Sequence, residues 1–231
     1  MKIGIIGAGN IGGALTRRFS ELGHEVFVAN SRGPKSLSDL AAETGAKPVT
    51  VMEAARSGDV VIVTIPEKNI LRLPPDLFKG VPESVVVLDT GNYYPRQRDG
   101  RIEGIEAGML ESRWVEQQLH RPVIKAFNNI YAEHLLKKGQ PKGPPGRIAL
   151  PVAGDDPTTK AIVLQLIDEL GFDGVDAGSL DESWRQQPGT PVYAKDFDAE
   201  GVRRALMEAT KERKLEWRAT PNSPGDHRHP A

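Results

Sequence analysis

The sequence contains no cysteine among its 231 residues, which excludes disulfides, thiolate nucleophiles and cysteine-ligated metal sites. It also lacks a strong charge imbalance. The formal net charge is −1, so no basic field indicates nucleic-acid binding. No apolar run approaches the length of a membrane span. We therefore expect neither a nucleic-acid partner nor a membrane partner.

Familiar hydrolytic and metal-binding patterns are absent too. The chain has neither a serine-centred elbow motif nor a His-x-x-x-His pair. Its first predicted strand starts at the N-terminus and leaves no room for a signal peptide, which makes the cytoplasm the expected location. With 39% apolar and 26% charged residues, the composition is typical of a soluble globular protein.

An apolar N-terminal run leads into the glycine-rich turn Gly7-Ala8-Gly9-Asn10-Ile11-Gly12, and helical spacing resumes at Ala14. This strand, turn and helix form the context in which such glycine spacing indicates a dinucleotide site. Gly7 would allow the turn, Gly9 would let a diphosphate approach, and Gly12 would let the helix lie close to the strand. The N-terminus of the helix would face the phosphates. The alternative is a merely structural glycine turn.

The end of the second predicted strand indicates which dinucleotide binds. A site for NAD usually places a carboxylate there for the ribose 2′-OH. Here the chain reads Asn30-Ser31-Arg32-Gly33-Pro34-Lys35, with no carboxylate. A hydroxyl, a guanidinium and an ammonium group suit a 2′-phosphate. The segment therefore favours NADP over NAD, although a solvated basic loop is the alternative.

The order of predicted elements is that of an α/β protein. Apolar runs alternate with helical segments, as in a parallel sheet that is covered on both faces. We predict a Rossmann-type, doubly wound, mostly parallel sheet. Beyond the first strand, strands are predicted at 25–29, 59–65, 84–89 and 122–129.

The proline- and glycine-rich loop at 139–147 is the best boundary in the chain. Beyond it, strands at 147–154 and 172–177 flank a helix, and a final helix is predicted from 198 to 215, which together make a small C-terminal α/β extension. We assign 1–139 to the NADP-binding domain, 147–218 to this C-terminal region and 219–231 to a disordered tail.

Ligands of open α/β sheets bind beyond the carboxyl ends of the strands. Position alone marks two segments, Thr64-Ile65-Pro66-Glu67 and Thr90-Gly91-Asn92-Tyr93-Tyr94. The end of a further strand presents the two amides of Asn128 and Asn129. The carboxylates Glu67 and Asp89 have no evident partner in the sequence. Lys125 is a candidate general acid. The alternative is a structural role, in which its ammonium group reaches a sheet edge or a strand end.

The shortage of acid–base groups is informative. Hydride exchange between a nicotinamide and a flavin-like ring needs mostly orientation, because the cofactors supply the chemistry. Reduction of a carbonyl or imine would need a proton donor. We also expect no large all-helical second domain, because the chain after Leu180 is too short to build one.

These residues resemble the coenzyme F420-dependent NADP oxidoreductases and the related cytosolic reductase domains of six-transmembrane metalloreductases. The resemblance covers roughly residues 1–180. It rests on the glycine turn, on Ser31-Arg32, on Thr64-Ile65-Pro66 and on Val123-Ile124-Lys125-Ala126-Phe127-Asn128. Its most specific segments are Pro151-Val152-Ala153-Gly154-Asp155-Asp156 and Val175-Asp176-Ala177-Gly178-Ser179-Leu180.

The resemblance implies NADP bound by Ala8 to Ile11, with its 2′-phosphate held by Ser31, Arg32 and Lys35. It implies nicotinamide contacts from the segments at Ile65, Gly91-Asn92 and Asn128 to Ala132. It also implies a homodimer and direct hydride transfer to coenzyme F420, a deazaflavin, or to a flavin such as FMN or FAD. The segments Asn92-Tyr93-Tyr94-Pro95 and 184–193, which would shape the pocket of the acceptor ring, depart from the family pattern.

Two other functions stay open on the sequence. One is reduction of a small carbonyl or imine, with Lys125, Tyr93 or Tyr94 as proton donor. The other is a non-catalytic NADP sensor that binds partners through the loop from Gly139 to Arg147 or through the C-terminal region.

Overall fold

The computed structural model describes residues 1–143 and 145–231. Pro144, inside the loop predicted at 139–147, lies outside the described residues. The central sheet has the order β3-β2-β1-β4-β5-β6, and every pairing in it is parallel. The predicted doubly wound parallel sheet is therefore confirmed. Its strands are β1 (Lys2–Ile6), β2 (Glu25–Ala29), β3 (Lys47–Pro48), β4 (Val60–Val63), β5 (Val86–Asp89) and β6 (Ile124–Lys125).

Nine α-helices accompany the strands of the described chain, and several begin at caps that the sequence shows. Thr50 and Glu53 form a reciprocal capping box, while Asp156 and Asp198 each accept a backbone N–H. The helices are α1 (Asn10–Glu21), α2 (Ser38–Thr44), α3 (Val51–Ser57), α4 (Glu67–Ile70), α5 (Glu103–Glu106), α6 (Glu111–Leu119), α7 (Ala132–Lys137), α8 (Pro157–Glu169) and α9 (Ala199–Glu208).

A second sheet joins the first at its edge. It consists of β7 (Ala149–Val152) and β8 (Asp173–Asp176), which pair in parallel. Lys125 and Ala153 exchange two backbone hydrogen bonds of 2.8 and 3.1 Å, which tie the two sheets together. Side chains from both sides of the loop at 139–147 share one apolar core. The division into 1–139 and 147–218 therefore stays a prediction about the sequence.

Three segments differ from their predicted form. The final helix ends at Glu208 instead of 215, because Ala209 is extended. The sixth strand has two residues, because Phe127 adopts the left-handed φ of 62° and ends the strand. The stretch from Arg96 to Gly108 is polar and glycine-rich, which predicts a loop, but it contains α5 and most of a π-helical turn at Pro95–Asp99.

The last residues of the chain contact the π-helical turn. The backbone N–H groups of Gly225 and Ala231 both donate to the carbonyl oxygen of Arg96, at 2.7 and 3.1 Å. The disorder expected for residues 219–231 stays a prediction.

Candidate functional site

The glycine turn lies where the sheet order reverses, between β1 and β4. Gly7 has a φ of +113°, and a Cβ there would lie 2.2 Å from the carbonyl oxygen of Thr64. A Cβ on Gly12 would lie 1.8 Å from the carbonyl oxygen of Gly7. A Cβ on Gly9 would meet nothing within 4 Å. The fold itself therefore requires two of these glycines, whereas Gly9 keeps a surface open that a ligand could approach.

Helix α1 begins at this open surface. Gly9 caps the helix without a side-chain hydrogen bond, and its first turn contains no acidic residue. The first backbone N–H groups of a helix have no partner within it, and the helix dipole adds positive potential there. This end of α1 therefore suits a phosphate.

A groove of about 840 Å³ runs from the glycine turn to the beginning of α7. One wall is formed by Ala8, Gly9 and Asn10, and the other by α7, beginning at Tyr131 and Ala132. Ile11, the next residue of the turn, is half-buried at the start of α1. The predicted contact Ala132 thus faces the predicted turn across this groove.

The loop after β2 is closed by Asn30. Its side chain donates to the Ser36 hydroxyl at 2.9 Å and accepts the backbone N–H of Arg32 at 2.9 Å. Ser31, Arg32 and Lys35 are exposed. Neither basic side chain has an ion-pair partner in the part of the chain that the structure describes. Asn30 therefore shapes the loop, and the two cations remain available to an anion.

The segment after β4 lies directly against the glycine turn. Thr64 continues the sheet pattern, since its N–H donates to Ile6 at 2.9 Å, and its carbonyl group lies beneath Gly7. Thr64, Ile65 and Pro66 are all half-buried. The structure therefore brings the segment from Thr64 to Pro66 together with the glycine turn.

A buried charge cluster lies beneath Gly91 at the end of β5. The Lys125 ammonium group donates to Asp89 Oδ2 at 2.8 Å and to the Gly91 carbonyl oxygen at 2.7 Å. Ser112 donates to the same carboxylate at 2.9 Å. Asp89 therefore does have a partner, contrary to the expectation from the sequence. Its partner Lys125 lies 36 residues away, so no local pattern reveals the pair.

Glu67 completes this cluster but has no hydrogen-bond partner among the described residues. Its side chain is fully buried, and a Cβ on Gly91 would lie 2.5 Å from Glu67 Oε1. Burial, with the neighbouring Asp89 carboxylate, raises the pKa of Glu67 well above its ordinary value. Burial alone would lower the pKa of Lys125, but Asp89 and Glu67 outweigh it and raise that pKa.

Three amides interlock at the ends of β5 and β6. Asn92 Nδ2 donates to the Asn128 carbonyl oxygen at 2.8 Å, and Asn128 Nδ2 donates to Asn92 Oδ1 at 3.0 Å. Gln186 Nε2 donates to Asn128 Oδ1 at 2.8 Å. The sequence predicts only that the segment 184–193 lies near the acceptor pocket and does not single out Gln186, which is 58 residues from its partner. The strained Phe127 sets the chain direction just before this cluster.

The two tyrosines considered as proton donors have different surroundings. Tyr93 is fully buried, and its hydroxyl accepts from the Ile102 N–H at 3.0 Å and lies 2.9 Å from the Gly100 carbonyl oxygen. Tyr94 is half-buried, and its hydroxyl contacts that of Tyr193. Tyr93 is therefore a structural residue, while Tyr94 keeps a polar group near the strand ends.

Neither a metal site nor a membrane-crossing helix occurs in the described parts of the chain. Across residues 1–143 and 145–231, no three histidine or acidic side chains are grouped so that they could hold a metal. No helix in those same ranges is both long enough and apolar enough to cross a membrane.

The N-terminal part of the chain matches a known protein family. The model of the family described as coenzyme F420-dependent NADP oxidoreductase matches residues 2–93. The protein YjhV of Escherichia coli strain K12 is 46% identical over 91 residues, which are 39% of this chain and 59% of YjhV. The match thus spans less than two thirds of the length of that relative.

Two solved structures extend the likeness over most of the chain. The hypothetical protein SMa0349 of Sinorhizobium meliloti is 32% identical, with a TM-score of 0.71 over 85% of this chain and 94% of its own. A protein of Arthrobacter sp. FB24, proposed to be an F420-dependent NADP reductase, is 21% identical, with a TM-score of 0.65 over 79% of this chain and 87% of its own. The second likeness is one of fold alone.

Proposed function

Because the chain belongs to the coenzyme F420-dependent NADP oxidoreductase family, we propose that it transfers a hydride between NADP(H) and a deazaflavin such as coenzyme F420, or a flavin such as FMN or FAD. The observation that carries the proposal is the open surface at Gly9 after β1, together with the exposed cations Arg32 and Lys35 after the neighbouring strand β2, which have no ion-pair partner among the described residues. The identity of the acceptor, the direction of transfer and the residue contacts below are parts of this proposal.

The residues at the turn and after β2 fit NADP. Gly9 and the N-terminus of α1 would hold the diphosphate, with the rest of the Gly7 to Gly12 turn around it. Ser31, Arg32 and Lys35 would hold the 2′-phosphate, because guanidinium and ammonium groups form charge-assisted hydrogen bonds with phosphate oxygens. No carboxylate stands between β2 and Lys35 to repel it.

The strand ends would orient the nicotinamide side. Thr64, Ile65 and Pro66 would flank one side, and Gly91 with the interlocked amides of Asn92 and Asn128 would flank the other. Bound NADPH supplies a hydride, and the cofactors carry the electronic chemistry. The amide cluster fixes the positions of two strand ends, which is the orientation that direct transfer between two rings needs.

The surroundings of Lys125 support this reading. Its ammonium group is engaged by Asp89 and Gly91 and is only 1% exposed. Tyr93 is likewise sequestered. Two of the three proton donors that a carbonyl or imine reductase would use are therefore committed to the fold.

The location and the oligomeric state belong to the same proposal. We propose that the protein is a homodimer, as the resemblance implies, and that it is located in the cytoplasm. Light scattering after size-exclusion chromatography tests the dimer, and a monomeric mass at working concentration would contradict it.

The central test mixes the protein with NADPH and, in separate reactions, with F420, FMN and FAD under anaerobic conditions. Loss of nicotinamide absorbance, with bleaching of the acceptor band, is the expected result for at least one acceptor. The Gly9→Val variant is the control, because a side chain there would block the phosphate surface and should abolish turnover. No turnover with any of these acceptors would refute the proposal.

A second candidate is the reduction of a small carbonyl compound, which the half-buried hydroxyl of Tyr94 favours. It predicts oxidation of NADPH by a ketone in the absence of any flavin or deazaflavin. Failure of a panel of small ketones would remove it.

A further inference from the structure

The hydroxyl groups of Tyr94 and Tyr193 contact each other. Neither has a second hydrogen-bond partner among the residues that the structure describes. Each phenol carries one hydrogen and two lone pairs, so the contact uses one O–H and leaves the other O–H of the pair without an acceptor. Both side chains are only half-buried, so a ligand could supply that acceptor.

The pair lies at the ligand-binding edge of the sheet. Tyr94 stands shortly after β5, two residues beyond Asn92. Tyr193 is followed by Ala194, whose N–H donates at 2.9 Å to the carbonyl oxygen of Asn129 beyond β6. The pair therefore bridges the carboxyl ends of two neighbouring strands, where ligands of open α/β sheets bind.

One residue of the groove wall that faces the glycine turn lies near this pair. Tyr131 lines the groove wall opposite Gly9 and is 56% exposed. It lies close enough to Tyr193 to add to the effect of burial, which raises the pKa of the Tyr193 phenol. The hydroxyl pair therefore lies near the wall of the groove that faces the phosphate surface.

The surrounding structure holds the pair in place. The Arg98 guanidinium group lies 4.9 Å from the centre of the Tyr94 ring and donates to the Asn92 carbonyl oxygen at 2.5 Å. Ala194 has a φ of 56°, an uncommon conformation for a residue with a side chain. Burial raises the pKa of both phenols, so both remain hydrogen-bond donors at neutral pH.

We propose that the Tyr94–Tyr193 pair donates a hydrogen bond to a carbonyl oxygen of the hydride acceptor. The acceptor is then a compound whose carbonyl group is conjugated to, or is itself, the position that receives the hydride. Donors aimed at such an oxygen stabilise the negative charge that develops there as the hydride arrives with its electron pair. The phenols keep their protons, and water supplies the proton that completes the reduction.

This inference rests on the proposed function and names the chemistry of its acceptor. The pyrimidinedione ring of a deazaflavin or flavin and a small ketone share that chemistry. The test therefore uses 8-hydroxy-5-deazaflavin, FMN and 2-butanone as separate probes. Each oxidised probe is titrated calorimetrically into the protein–NADP⁺ complex, which gives an acceptor Kd without turnover.

The Tyr94→Phe and Tyr193→Phe variants keep both rings and remove one hydroxyl each. We expect each to raise the acceptor Kd by about 5-fold to 10-fold, which corresponds to the loss of one hydrogen bond. The Kd for NADPH should change by less than about 2-fold, since the pair is aimed at the acceptor alone. The acceptor Kd of the double variant should be no higher than that of the single variant that binds the acceptor more weakly, because the two hydroxyls act as a unit.

The Tyr93→Phe variant is the matched control, because it removes a neighbouring hydroxyl that is bonded within the fold. It should lower the Tm and leave the acceptor Kd unchanged. Wild-type binding of a probe with unchanged Kd in both Tyr94→Phe and Tyr193→Phe overturns this inference and leaves the proposed function standing. No binding or reduction of any probe by the wild type, with NADPH still bound, overturns both.

Discussion

Replacement of Glu67 by glutamine should change the pH dependence of stability. The Glu67 carboxyl group is fully buried, and neither oxygen has a hydrogen-bond partner in the described parts of the chain. Burial and the nearby Asp89 raise its pKa well above the ordinary value. Glutamine has nearly the same shape and cannot ionise. The variant therefore removes the titration and keeps the packing.

The sign of the effect follows from where the proton is held. Because the pKa of Glu67 is higher in the folded chain than in the unfolded chain, the folded chain retains a proton that the unfolded chain has lost. The free energy of unfolding of the wild type therefore falls as pH rises above the ordinary value of 4.5. The maximum slope is about 1.4 kcal/mol per pH unit for one proton. The loss stops once pH exceeds the raised pKa.

Urea denaturation followed by tryptophan fluorescence, repeated from about pH 4 to about pH 8, measures this difference. Glu67→Gln should gain stability relative to the wild type by ~1 kcal/mol per pH unit between the ordinary pKa of a glutamate and the raised pKa of Glu67, and the gain should then level off. Glu200→Gln, the same change at an exposed position of α9, controls for the loss of a surface carboxylate. A pH-independent difference between Glu67→Gln and the wild type would refute the reasoning, because Glu67 would then titrate alike in both states.

Further predictions concern cofactor binding and the buried pair. Arg32→Ala should raise the Kd of NADPH by about 10-fold to 100-fold and change the Kd of NADH by less than about 3-fold. The control Arg203→Ala on α9 should change neither Kd. Equal losses of affinity for NADPH and NADH in Arg32→Ala would contradict the phosphate assignment. Gly9→Val should keep the Tm and weaken NADPH binding by more than about 10-fold. Gly12→Val, in contrast, should lower the free energy of unfolding by about 3 kcal/mol or more. Thermal denaturation and calorimetric titration separate the two effects, and intact NADPH binding by Gly9→Val would count against the phosphate surface. Lys125→Met should lower the free energy of unfolding by about 3–5 kcal/mol, because it leaves a buried carboxylate without a partner; a loss in urea below about 1 kcal/mol would count against that pair.

Features set by neighbouring residues could be predicted from the sequence. The start of α3 is an example, because its capping box joins Thr50 to Glu53, a residue only three positions away. The glycine turn was predicted because its spacing and the apolar run before it lie within one short segment. Such signals depend on local backbone chemistry, which the order of residues displays directly.

Features set by distant residues could not be predicted. The Tyr94–Tyr193 contact joins residues 99 positions apart, and the Gln186–Asn128 bond joins residues 58 apart. Phe127 shows a third limit. An apolar run favoured a strand through this residue, but its left-handed φ ends the strand at Lys125 and turns the following amides toward the site. Only the packed sheet edge decides such an angle.

The position of Gln186 in the chain has a consequence for synthesis on the ribosome. All six strands of the central sheet precede it in the chain, whereas the amide cluster at the strand ends is complete only once Gln186 has reached Asn128. The second sheet, which shares an apolar core with the first, also precedes Gln186. A nascent chain that stops before this residue therefore contains both sheets and the glycine turn but lacks the side chain that fixes the ends of β5 and β6.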